Sequence, residues 1–98
     1  MSGKGLDKPA ELEIPDDFKI VRVFLSEQQW LAEKDPIAFT GPEKRNLGVY
    51  LGASLDIRAH GSGREMIFTR SSASDPVSPK AIEILQTVAS RGCEITFS

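Results

Sequence analysis

Ninety-eight residues, 40% apolar and 27% charged, suit one soluble globular domain, and a chain of this size buries roughly 60–65% of its unfolded surface without staples. A net charge of −2 gives no bulk attraction to nucleic acid or anionic membrane, and no apolar run approaches the length of a membrane span. The polar start Met1-Ser2-Gly3-Lys4-Gly5 is not a secretory signal, and the lone Cys93 leaves no internal disulfide, so a reducing, cytoplasmic setting is expected.

Residues 1–16 are rich in Gly, Lys, Pro, Glu and Asp and read as a flexible N-terminal tail, in which Leu12 and Ile14 have the means to dock as a short extended segment. Phe18 to Leu25 reads as the first strand. Val21, Val23 and Leu25 share one face; Phe18, Ile20, Arg22 and Phe24 share the other. Two largely apolar faces predict a central strand. Ser26 is a good N-cap for a helix from Glu27 to about Lys34, stopped by Asp35-Pro36, with Trp30 as its main packing group. Ile37-Ala38-Phe39 reads as a short strand or a docked loop, and the turn-rich, charged stretch 40–46 as a mobile surface loop.

From Leu51 to Ala59 the residues Leu51, Ala53, Leu55, Ile57 and Ala59 alternate with Gly52, Ser54, Asp56 and Arg58. That period of two predicts a strand with one buried and one wet face, beginning at Leu47 or Tyr50. His60-Gly61-Ser62-Gly63 turns it into a third strand, Arg64 to Arg70, whose facing the pattern leaves open. After a Ser/Asp/Pro connection, Ser78-Pro79 opens a second helix with Ala81, Ile84, Leu85 and Val88 inward; Arg91 and Gly92 end it, and Cys93 to Phe97 is the last strand.

The order strand, helix, strand, strand, helix, strand is the split βαβ arrangement. It predicts an α+β ferredoxin-like sandwich (βαββαβ) over residues 17–98, two helices covering one face of a four-stranded antiparallel sheet. Right-handed crossovers place the first and third strands in the centre.

Signals for chemistry are sparse. His60, the single histidine, sits at a turn four residues from Asp56, too far along a strand for direct contact. Cys93 follows a helix C-terminus, the end of the dipole that does not favour a thiolate. The His60–Arg64 stretch lacks the spacing of a phosphate loop. One His and one Cys make no zinc site. No catalytic residue, metal or cofactor is expected. The helix and strand ending in Gly92–Phe97 are similar to the opening of phosphocarrier HPr proteins, but Asp75-Pro76 stands where their histidine precedes the helix, and no function carries over.

The open sheet face holds the candidate binding residues: Phe18, Ile20, Arg22 and Phe24 from the first strand, Arg58 and His60 from the second, and Arg64 and Phe68 around the third. Aromatic and Arg side chains on a sheet face are characteristic of protein interfaces. The expected function is therefore a small, non-enzymatic protein-interaction or regulatory module working through this face or the 40–46 loop, with a protein partner or a second copy as occupant. The alternative is single-stranded RNA binding. Gly63-Arg64-Glu65-Met66-Ile67-Phe68 resembles the RNP1 pattern of RRM domains in its glycine, its basic residue and its terminal aromatic; Glu65 and Met66 stand where that pattern has glycine and the first aromatic. Residues 50–98 carry five basic and five acidic side chains and are electrically neutral, which disfavours the RNA reading.

Overall fold

The structure, a computed structural model, describes residues 12–30 and 38–98. The first strand, β1 (Ile20–Leu25), alternates half-buried and buried residues, with Val21, Val23 and Leu25 inward. Helix α1 (Glu27–Trp30) is held at its start by a reciprocal pair: Ser26 Oγ accepts from the Gln29 N–H, and Gln29 Oε1 accepts from the Ser26 N–H. The rest of the expected helix, residues 31–34, lies outside the described residues, as do the Asp35-Pro36 stop, Ile37 and residues 1–11. Ala38 and Phe39 are buried, so this stretch is a docked loop.

The expected loop over 40–46 is instead the cap and first half of helix α2 (Gly41–Leu51). Thr40 Oγ1 accepts from the Glu43 N–H while Glu43 Oε1 accepts from the Thr40 N–H, a capping box that satisfies two otherwise orphaned donors. Pro42 belongs to the first turn, where its missing N–H costs nothing. The Gly-Pro pair thus marks a helix start here, not a turn. Gly52 ends α2 in the left-handed region at φ 62°, its N–H reaching the Gly48 and Val49 carbonyls. The second strand, β2 (Ala53–His60), therefore begins later than its alternation suggests, and Leu51 is a buried helical residue.

Gly61 and Ser62 form a two-residue turn into β3 (Gly63–Arg70). Of these two turn residues only Gly61 has positive φ, 61°, the requirement of a type II′ hairpin. Helix α3 (Pro79–Ser90) starts at the Ser78 cap and buries Ala81, Leu85 and Val88, as its stripe predicts. The last strand, β4 (Glu94–Phe97), follows directly.

The sheet order is β2-β3-β1-β4, with all pairs antiparallel and β1 and β3 in the centre. This is the ferredoxin-like arrangement, with two helical segments among the described residues of the first crossover where one was expected. The core joins Val21, Val23, Met66 and Phe68 of the sheet to Leu47, Leu51, Leu85 and Val88 of α2 and α3. Burying such side chains contributes about 1.5–3 kcal/mol each. Leu12 and Ile14 pack against this core, and Leu12 exchanges backbone hydrogen bonds with the Gln86 amide at 3.1 and 2.9 Å.

Two core expectations need correction. Phe18 is 3% exposed, packed edge-on against Phe97 with centroids 4.9 Å apart. It precedes β1, so the strand pleat does not set its direction. Leu55 and Ile57 lie on the helix-side face of β2 as the alternation predicts, yet are 40% and 49% exposed. β2 is an edge strand, and no described residue covers its outer half.

Candidate functional site

The register sorts the sheet's side chains by face. Val21, Val23 and Leu25 stand opposite Phe68, Met66 and Arg64, so all six share the helix side. The other side carries Ile20, Arg22 and Phe24 from β1, Glu65, Ile67 and Thr69 from β3, Ser54, Asp56, Arg58 and His60 from β2, and Glu94 and Thr96 from β4. These residues are half-buried along the central strands and exposed on the flanking ones.

Five of the expected binding residues therefore come together on this face: Ile20, Arg22, Phe24, Arg58 and His60. Three do not. Phe18 and Phe68 are core residues, the latter fully buried and 6.0 Å from the Phe39 ring. Arg64 turns to the helix side, where its guanidinium lies 3.8 Å over the Trp30 ring. With Phe68 inside, the outward residues of β3 are Glu65, Ile67 and Thr69, none of them an aromatic on which a base stacks. The RNP1-like segment thus has its aromatic on the wrong side for RNA.

Electrostatics point the same way. Arg22 pairs with Glu65 at 3.2 Å and donates to Ser98 Oγ at 3.1 Å. Arg58 pairs with Asp56 at 3.1 Å. Each arginine on the face has a carboxylate beside it, so little free positive potential remains to attract phosphate. The alternation already sets Asp56 on the same face as Arg58, whereas Glu65 was one of two possibilities while β3's facing was open; the inward pair Met66 and Phe68 decides it.

At the hairpin end of the face, the Phe24 and His60 rings lie 4.8 Å apart at 54°. Beyond them is an open cleft of about 420 Å³, bounded by Ser26, Gln29, the Gly61–Gly63 turn, Gly92 and Glu94. Gly63 makes this corner possible, because a Cβ there would overlap the Leu25 carbonyl. Trp30 closes the other side of the corner by donating its indole N–H to the Ser62 carbonyl.

No protein-family model, curated protein or solved structure matches this chain.

Burial pushes the Cys93 thiol up, which keeps it protonated and packed rather than nucleophilic. Among the described residues, no three His, Cys, Asp or Glu side chains come together as metal ligands, and no carboxylate hydrogen-bonds to His60. No described helix is long and apolar enough to cross a membrane.

Proposed function

We propose that the chain is a non-catalytic protein-recognition module whose binding surface is the open sheet face. The observation that carries this reading is the pairing of both arginines, Arg22 with Glu65 and Arg58 with Asp56, around the half-buried apolar groups Ile20, Phe24 and Ile67. An apolar centre rimmed by neutralised charge is the composition of a protein interface. Aromatic and arginine side chains also supply most hot-spot energy when a partner excludes water from them. The partner that fits is a protein surface with its own apolar centre and mixed-sign rim.

The test is a pull-down with wild type, Phe24→Asp on the face and Glu83→Lys on exposed α3, each checked for fold by circular dichroism. Proteins held by wild type and Glu83→Lys should be lost from Phe24→Asp. The same set held by all three variants rejects the open face as the site. Salt-dependent oligonucleotide binding by wild type, lost in Phe24→Asp, replaces this reading with the RNA one.

A further inference from the structure

We propose that the chain forms a symmetric homodimer by pairing β2 with the β2 of a second copy, centred on Ile57. This goes beyond the open-face reading and is independent of it.

The two sheet edges differ. β4 is four residues long, too short to template a neighbour, whereas β2 is eight. Its ladder to β3 runs from Ala53↔Arg70 to His60↔Gly63 without a bulge. It contains no proline or lysine, the usual devices that blunt an edge.

Hydrogen-bond direction alternates along an antiparallel ladder. His60 and Gly63 close the two-residue hairpin, and the Ser71 N–H reaches the Gly52 carbonyl at 3.1 Å, so the even-numbered residues of β2 bond to β3. The N–H and C=O groups of Leu55, Ile57 and Ala59 therefore point outward, unpaired within the sheet. The exposed apolar side chains Leu55 and Ile57 belong to the same residues.

A two-fold axis through Ile57 satisfies all of these groups at once. Ile57 then pairs with the partner's Ile57, and Leu55 with the partner's Ala59, closing every outward N–H and C=O between Leu55 and Ala59. On the other face, Asp56 falls opposite the partner's Arg58, and Arg58 opposite the partner's Asp56. These side chains are 62% and 68% exposed and, among the described residues, pair with one another along the strand, so they are free to exchange. A one-residue shift of register loses both the charge match and the apolar match.

The experiment is sedimentation equilibrium on the purified full chain across a dilution series to sub-millimolar concentration. Wild type should weigh twice 10.7 kDa and dissociate on dilution. Ile57→Lys, which sets two charges against each other at the axis, should be a folded monomer. Asp56→Arg and Arg58→Asp should each be monomeric alone, through like-charge repulsion, and should assemble when mixed, since the mixture restores opposite charges at both positions. A wild type that stays monomeric throughout leaves the edge to some other strand and overturns the proposal. So does a dimer that survives Ile57→Lys, or a mixture that fails to assemble. None of these outcomes bears on Phe24-dependent partner capture, so the two readings fail separately.

Discussion

The guanidinium of Arg70 lies 4.8 Å over the ring of Phe18 and donates at 3.0 Å to that same residue's carbonyl. Its other terminal nitrogen donates to the Asp75 carbonyl, and the residue is 2% exposed with no carboxylate beside it among the described residues. One planar side chain thus ties the approach to β1 to the loop that leaves β3. Replacing it leaves two inward carbonyls without donors. Arg70→Met should cost about 2–3 kcal/mol in urea unfolding. Arg70→Lys should recover less than half of that, because a point donor does not span both carbonyls. A loss below about 0.5 kcal/mol for Arg70→Met would show that the clamp is dispensable.

A second tie joins α2 to α3. Arg91 holds Glu43 through two contacts of 2.7 and 2.9 Å, and the same carboxylate closes the capping box at Thr40. The Arg91 hydrogen bonds, helped by those from Thr40 and opposed by burial, lower the Glu43 carboxyl from 4.5 to about 2. A carboxyl whose folded pKa is depressed stabilises the fold above its unfolded value and loses that contribution as pH falls towards the folded one. Stability should therefore decline between pH 4.5 and about 2, by about 1–2 kcal/mol for this group once solvent screening is counted. Chemical denaturation across that range should show a shallower decline in Glu43→Gln, which should also be less stable at pH 7. Parallel pH profiles for the two proteins would exclude Glu43 as a source of acid sensitivity.

The β2 strand gives a sharp contrast in burial. Leu55→Asp, measured at concentrations where only monomer is present, should change stability by less than about 1 kcal/mol, since its side chain already meets water. Phe68→Ala, directly opposite on β3, should cost about 3–5 kcal/mol through its cavity. Equal losses at the two positions would mean that Leu55 is covered in solution.

Two glycines should differ in their response to substitution by alanine. At Gly63 the new Cβ meets the Leu25 backbone, which has no flexible end to move. Gly63→Ala should cost more than about 2 kcal/mol and disturb the Phe24–His60 corner, visible as shifted His60 ring signals in NMR spectra. Gly41, at the start of α2, has open space beyond its chain neighbours, but it precedes Pro42, whose ring disfavours the α region for a residue that carries a Cβ. Gly41→Ala should therefore cost less than Gly63→Ala, because its methyl group meets one proline ring at an exposed helix start rather than buried backbone. Thermal melts of the pair rank them directly.

Much of this molecule is determined locally. The alternation of Val21, Val23 and Leu25, the Ser78-Pro79 start and the Ala81–Leu85–Val88 stripe each carry their element in a few neighbouring residues, because strand pleat and helix pitch repeat over two to four positions. Element order then leaves few topologies, and the four-stranded ferredoxin-like sheet follows. Even α2 was written in the chain as Thr40-x-x-Glu43 with Pro42, a capping signature outvoted by the turn-like Gly-Pro pair. What only the tertiary structure decided is which elements cover which. Alternation marks the side of β2 on which Leu55 and Ile57 stand, but their burial depends on how far the helices reach across the edge. In the same way, the sequence shows that Arg22 and Arg58 are cations; only the strand register sets Glu65 beside Arg22 and so turns a basic-looking face into a neutral one. Side-chain direction is a property of a few adjacent peptide units, whereas burial and ion pairing depend on segments dozens of residues apart meeting at one place.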